Sequence, residues 1–320
     1  MQTVSIIICT WNRADSLRAS LTTLERQLLP ADVAVEVLVV DNNSSDHTAA
    51  TVASLAAQWR LGALRYLFEG RQGKQFALNT GIRASTGALL AFTDDDIVFP
   101  SDWVSAIVDS FANPELELAG GKTLVGWPAS GPPSWYDPQM AAIVGGVDLG
   151  DARLAPPPAG YAPAGGNLAA RRALFDKVGL FSEAHFRHMD YEFGMRAAAH
   201  HAVIAYEPTL SVEAPVDSAM VSKRYFRRWS LKAGMLHDSA ADPQEPRLLQ
   251  VPRWIYRRLL EDLLAWPREL LGASAAVAFQ RELRIWRDAG TIASCWHAYL
   301  WPQQHPAWVA RYAQKKKNVY

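Results

Sequence analysis

Only two cysteines occur in 320 residues, Cys9 and Cys295, and they lie at opposite ends of the chain. That count excludes a disulfide framework. With no Cys-x-x-Cys or His-x-x-x-His pair it also leaves zinc without a ligand set, so two buried thiols in a reducing cytoplasm are expected. Long hydrophobic runs are missing too. LLGASAAVAF is the nearest approach to the ~18 apolar residues of a membrane-spanning helix, and it is too short. The opening MQTVSIIICT enters an apolar run with no basic flank, so no secretory leader is expected. Glycine is absent from the first turn, CTWNR, which excludes a dinucleotide fingerprint there. No Gly-x-x-x-x-Gly-Lys-[Ser/Thr] phosphate loop occurs anywhere.

Net charge is zero, but the halves differ. Residues 1–222 carry 15 Lys/Arg against 24 Asp/Glu, and residues 223–320 carry 17 against 8, so −9 faces +9. Such asymmetry points to an anionic partner for the basic part. The acidic part alternates short apolar runs with helical periodicity. VSIIIC, VEVLVV (Val35–Val40), LRYLF and the run Ala88 to Phe92 read as strands. Leu17, Leu21, Leu24 and Leu28 read as one helix, with Asn12 or Asp15 as its cap and Pro30 as its stop. A second helix carries Val52, Leu55 and Trp59, and a third spans Gly73 to Ser85. This alternation predicts an α/β fold with a mostly parallel central sheet between two helical layers. Ligands of such sheets bind beyond the carboxyl ends of the strands, which puts residues 10–13, 41–46 and 94–96 on one rim. Residues 127–166 are rich in Pro and Gly, a connection long enough to act as a lid or binding loop.

Asp94, Asp95 and Asp96 end the fourth strand. Three adjacent carboxylates repel one another and need a cation or a compensating ligand. Oxygen ligands suit Mg²⁺ or Mn²⁺, and Mg²⁺ commonly takes one or two carboxylates plus substrate phosphates. A solvated acidic loop before the next helix is the plainer alternative. Asp41, at the end of the second strand, suits either a nucleobase N–H or the cap of the following helix.

Read in order, VSIIICTWNR, VLVVDNNSSD, GKQFALNTGIRASTGALLAFTDDD, AGGNLAARRALFDKVGLF and MDYEFGMRA resemble the family 2 glycosyltransferases, nucleotide-sugar-dependent inverting enzymes of the GT-A fold. The resemblance implies a GT-A catalytic domain over residues 1–222, with a nucleotide-sugar half to about 125 and an acceptor half from 126. It implies donor contacts from Thr10, Asn12, Arg13, Asp41, Asn43, Lys74, Asp94 and Asp95, and a divalent ion, Mg²⁺ or Mn²⁺, held by Asp96 with Asp94. Asp190 falls in the place of the catalytic base, where a carboxylate takes the proton of the attacking hydroxyl. Met189 stands where the family usually has Glu, and Glu192 reads as a packing or capping partner. Gly165, Gly166 and Asn167 match the acceptor-side turn; Trp127, Arg228 and Trp229 are further acceptor-side candidates. Trp127, Trp135 and Tyr136 suit stacking on sugar faces and suit ordinary packing equally.

Two departures stand out. The stretch SVEAPVD has no His where the family often binds its metal, leaving Glu213 as the nearest ligand type. YFRRW has Tyr225 in place of the Gln of Gln-x-x-Arg-Trp, which with no membrane span favours single addition over polymerisation. The implied acceptor is a glycan or a lipid-linked carrier. His185 and His188, at i,i+3 spacing just before Asp190, read as solvated loop residues more readily than as functional ones.

Two rival readings share part of the pattern. A metal-dependent nucleotidyltransferase would use the same aspartates to attack phosphorus, but would want a basic phosphate clamp and no carboxylate at 190. A catalytically silent glycan-binding or scaffold protein would tolerate the missing Glu and His.

Residues 223–320 form a basic, Trp-rich helical region. Ile255, Leu259, Leu263 and Leu270, with Tyr256, Leu260, Leu264 and Leu271, read as one apolar stripe, and Arg257, Arg258 and Arg268 as the polar face. Ala276, Phe279, Leu283 and Trp286 repeat the pattern among Arg281, Arg284 and Arg287. Packing on the catalytic domain and docking on an anionic membrane surface, with Lys315, Lys316 and Lys317 contributing, both remain open. Nucleic acid is not expected, because no RNA- or DNA-reading motif is present. The expected location is the cytoplasm, with the inner membrane face as the alternative.

Overall fold

The computed structural model describes residues 2–185, 188–236 and 245–313. β1 (Gln2–Thr10), α1 (Ala14–Leu24), β2 (Val33–Asp41), α2 (Thr48–Ala56), β3 (Ala63–Phe68), α3 (Lys74–Ala84) and β4 (Leu89–Asp94) alternate as the periodicity requires. They are followed by α4 (Trp103–Ser110), β5 (Leu118–Gly126), β6 (Asn167–Arg171), α5 (Arg172–Val178), α6 (Met189–Ala199) and β7 (Ile204–Pro215). The seven strands make one sheet in the order β3-β2-β1-β4-β6-β5-β7, parallel except for β6. This is the mostly parallel, helix-flanked sheet that the alternation predicts.

β1 shows why its sequence is continuously apolar. Val4, Ile6 and Ile8 face a core shared with α1, α2 and α4, while Ile7 and Cys9 face the opposite core, built from α3, α5 and α6. A strand covered on both faces has no polar side to declare. Where the chain passes residues 161–163, two glycines make room. A Cβ on Gly120 would lie 2.5 Å from both Pro163 Cβ and Tyr161 Oη, and one on Gly194 2.5 Å from Ala162 Cβ. The segment is thus laid directly on β5 and α6, and it leads into the turn before β6.

α1 departs from expectation at both ends. It stops at Leu24, and Leu28 is 69% exposed. Leu28 N–H donates to Ser101 O, and Gln27 bonds Pro100 O and Val104 N, so contacts with the chain before α4 take over from the helical ladder. Neither Asn12 nor Asp15 caps the helix. Asp46 does, accepting from Ala14 N–H at 3.0 Å.

Glu36 ties the early strands together. Its carboxylate accepts from Ser5 of β1, Arg65 of β3 and Thr86 ahead of β4. Burial alone would raise its pKa, but these bonds outweigh burial and hold it at about 2, below its usual 4.5. A group whose pKa is depressed by folding stabilises the native state above its unfolded pKa and loses that contribution as pH falls through the folded value. Glu36→Gln is therefore expected to lower the melting temperature at neutral pH and to flatten its fall between about pH 4.5 and about 2. Thermal unfolding across that range tests this; parallel curves for the two proteins would contradict it.

By packing, the chain divides into two compact units: Met1–Gly126 with Gly146–Pro215, and Trp127–Gly145 with Val216–Tyr320. The second contains a 3₁₀ turn (Pro138–Val144), α7 (Lys223–Met235), the short pair β8 (Arg247–Leu248) and β9 (Val251–Pro252), α8 (Arg253–Gly272), α9 (Ala275–Leu300) and α10 (His305–Ala313). Within it Trp135 packs edge-on against Phe226 and Phe279. The single apolar stripe expected along α8 is split. Ile255 is buried, but Leu260, Leu263, Leu264, Leu270 and Leu271 are exposed. Asp262 takes an inward position instead, bonded by Arg281 and Arg284 of α9. Arg258 likewise turns inward to Asp288, at 2.9 Å. Lys315, Lys316 and Lys317 lie outside the described residues.

Candidate active site

Strand register builds the rim. Thr10 pairs with Asp41, Cys9 with Asp94, and Asp41 with Phe68, so the ends of four parallel strands come level. β6 runs the other way and pairs Asn167 with Thr93, which brings the residues just before it, Gly165 and Gly166, to the same rim.

The three aspartates already have cationic neighbours. Lys74, the first residue of α3, is bonded to Asp94. Arg13 spans the other two, 2.8 Å from Asp95 and 2.8 Å from Asp96. The requirement for a compensating cation is thus met in part from within the chain. Thr10 Oγ1 donates to Asp95 at 2.7 Å, and burial pushes the Asp95 carboxyl up to about 6 against the pull of Arg13 and Thr10. Burial works against the charge of Lys74, yet Asp94, with help from Asp190, raises its pKa above the ordinary lysine value. Cys9, on the floor of this cluster, is an inert thiol, since burial pushes it up to about 12.

Asp190 lies in the first turn of α6. One carboxylate oxygen accepts from Gly165 N–H at 2.8 Å and the other from Tyr191 N–H at 2.9 Å. A Cβ on Gly165 would stand 3.3 Å from Asp190 Oδ2, and one on Gly166 3.2 Å from Asp94 Oδ2. Two consecutive glycines therefore bring both carboxylates against one bare turn, with Lys74 bonded to one and attracted by the other.

Asp41 is buried and accepts from Ser44 N–H and from Tyr66 Oη, each at 2.8 Å. Burial first, then the bond to Asp41, pushes the Tyr66 phenol up to about 12, so it remains a donor. The sequence carries no signal for Tyr66; the β2–β3 register sets it opposite Val39, two residues short of Asp41 and so on the same face. Asn42 was missed as well. Its amide joins Arg71 O, Gly73 N–H and Gln72, pinning the loop that leads to Lys74.

Other expected residues are occupied structurally. Asn12, in the left-handed region, accepts from Ser45 N–H at 2.6 Å, and Asn43 is also left-handed with its side chain exposed. Asn167 is buried, donating to Lys122 O and Leu210 O and accepting from Trp103 Nε1. Glu192 pairs with Arg196 at 2.7 Å. His185 bonds Ser182, and His188 is the residue preceding α6. Trp127 meets Tyr136 edge-on at 4.5 Å in the second unit, where Arg228 and Trp229 lie on α7.

Among the described residues no group of three His, Cys, Asp or Glu is arranged to hold a metal ion. Glu213, on β7, therefore completes no such set. Asp96 and Asp94, each about a third exposed, fit the other kind of site, in which one or two carboxylates are joined by substrate phosphates.

The family model for glycosyl transferase family 2 matches residues 5–139. Glycosyltransferase AglE of Haloferax volcanii is 34% identical over 129 residues, covering 40% of this chain and 41% of its own, so the chain spans well under two-thirds of that relative. Among solved structures, a mannosyltransferase from Pyrobaculum calidifontis in complex with GDP-Man and Mn²⁺ aligns with a TM-score of 0.59 at 20% identity, covering 94% of this chain and 87% of its own. S. aureus TarS 1-349 in complex with UDP-GlcNAc aligns with a TM-score of 0.52 at 15% identity, over 95% and 93%.

Proposed function

Since residues 5–139 match the family model for glycosyl transferase family 2, we propose that this protein transfers a sugar from a nucleoside-diphosphate sugar to a hydroxyl of a glycan or lipid-linked acceptor, one residue at a time and with inversion. The observation that carries this reading is the meeting of Asp190, Asp94 and Lys74 around the Gly165–Gly166 turn. An acceptor hydroxyl is a weak nucleophile at neutral pH. Asp190, steadied by two backbone N–H groups, takes its proton as attack begins. Attack from the side opposite the departing diphosphate inverts the anomeric carbon. Lys74 meets the negative charge of the phosphates, and Arg13 keeps Asp95 and Asp96 in place beside them. Asp41 accepts from the nucleobase while Ser44 and Tyr66 hold its carboxylate. A Mg²⁺ or Mn²⁺ ion held by Asp96 and Asp94 would supply Lewis-acid stabilisation of the leaving diphosphate. In this proposal residues 1–222 form the catalytic region and residues 223–320 a basic helical region.

Thermal unfolding with UDP, GDP and dTDP, each with and without Mn²⁺, tests the reading. One nucleotide should stabilise the protein by about 2.7 kcal/mol at about a hundredfold excess over its Kd, and part of that gain should need Mn²⁺. In Asp96→Ala the Mn²⁺-dependent part should vanish while the unliganded melting temperature changes little, because Asp96 sits at the surface end of the cluster. An unaltered Mn²⁺ response in that variant would remove Asp96 from the metal site. No response to any nucleotide in the unmodified protein would sink the proposal itself.

A further inference from the structure

Helix α8 is apolar on two sides and carries acidic residues on the inward one. Its inward line reads Ile255, Leu259, Asp262, Trp266 and Glu269, all buried or half-buried. Its tie to α9 is partly ionic. Arg281 bonds Asp262 and Glu269, Arg284 bonds Asp262, and Arg258 bonds Asp288, whose side chain is 1% exposed. The outward line is the apolar one. Leu260, Leu264, Pro267 and Leu271 follow one another at helical spacing, with Leu263 and Leu270 beside them. Leu264 is 65% and Leu271 92% exposed. Beyond Leu271 the tip of the hairpin to α9 continues uncharged and open as Gly272, Ala273, Ser274 and Ala275, followed by exposed Val277. A helix that sets Asp262 and Glu269 against its neighbour while five leucines and Pro267 stay outward has no apolar partner for that face among the described residues.

We propose that the leucine face of α8 and the α8–α9 tip dock on an anionic lipid bilayer. Charge selects this occupant over a second copy of the chain. Residues 223–320 carry nine more basic than acidic residues, so two copies brought face to face repel, whereas anionic headgroups are attracted. Arg253, Arg257 and Arg268 are exposed on α8 itself, beside the leucines. Trp254, 41% exposed at the start of the helix with Arg258 over its ring, is the residue type that settles at a headgroup boundary. No described helix is long and apolar enough to cross a membrane, so α8 lies in the interface and does not span it. The inference stands on the helical unit alone and is independent of the catalytic proposal.

The test is co-sedimentation with unilamellar vesicles of phosphatidylcholine, with and without phosphatidylglycerol, at low and high salt. The unmodified protein should pellet with the phosphatidylglycerol vesicles and be released by salt. Leu264→Glu/Leu271→Glu should bind about tenfold or more weakly, and Arg257→Gln/Arg268→Gln should lose mainly the salt-sensitive part. Both variants replace exposed side chains, so their melting temperatures should match the parent; circular dichroism checks this. An unmodified protein that stays in the supernatant with both vesicle types overturns the proposal. So does equal pelleting by Leu264→Glu/Leu271→Glu. If light scattering instead shows a dimer that this variant abolishes, the face belongs to a second copy and the lipid assignment fails.

Discussion

Asp190→Asn is expected to lower sugar transfer by about 10² to 10⁴-fold, the range associated with loss of a general base, with donor affinity nearly unchanged. Shape is nearly conserved, so the variant isolates the proton-accepting role. Asp190 receives one N–H from Gly165 and one from Tyr191, and an asparagine oxygen can still accept one of them. A modest loosening of the Gly165 turn should follow, visible as a small fall in melting temperature. Glu192→Gln is the control. Glu192 is committed to Arg196, which in turn bonds the carbonyls of Val178 and Leu180, so its replacement should cost stability while turnover per folded molecule persists. Donor binding is read by nucleotide-induced thermal stabilisation, and transfer by steady-state assay. Near-normal turnover in Asp190→Asn would move the base elsewhere, with Glu192 first in line.

Lys74→Met should weaken nucleoside-diphosphate binding by about 10 to 100-fold, matching a hydrogen bond to a charged group worth about 1.5–3 kcal/mol. Methionine keeps the length and apolar stem of the side chain but removes the charge between Asp94 and Asp190. With Lys74 gone, Asp94 meets the incoming phosphates with its negative charge less compensated, so repulsion adds to the lost attraction. Both side chains are about a third exposed, and water will soften the effect. The donor KM should therefore rise more than kcat falls. Lys74→Arg is not expected to restore the parent, because a planar fork cannot replace a compact ammonium where the rim is this crowded. Equal nucleotide affinity in the parent and Lys74→Met, by calorimetry, would show that Lys74 serves Asp94 alone.

Much of the rim was legible in advance because it rests on local pattern. Continuous apolar runs in β1, β2 and β4 declare strands covered on both faces, and the polar residues closing each run must then fall at the strand ends. Thr10, Asp41 and Asp94 come together for that reason alone. The partners of those residues were not legible. Tyr66 reaches Asp41 from a neighbouring strand, Asn42 pins a loop about thirty residues on, and Arg13 bridges to aspartates more than eighty positions away. Asn167 looked like part of an acceptor turn from its neighbours in sequence, yet three long-range hydrogen bonds hold it in the core.

The basic helical region marks the boundary most clearly. Periodicity specified the helices and which residues were apolar, because spacing along a helix is set by backbone geometry. It could not say which side of α8 turns inward, since both sides carry leucines. That choice was made by Asp262 and Asp288, whose burial is tolerable only with Arg281, Arg284 and Arg258 beside them. Ion pairing between two helices depends on their three-dimensional approach, and it left the leucines facing outward.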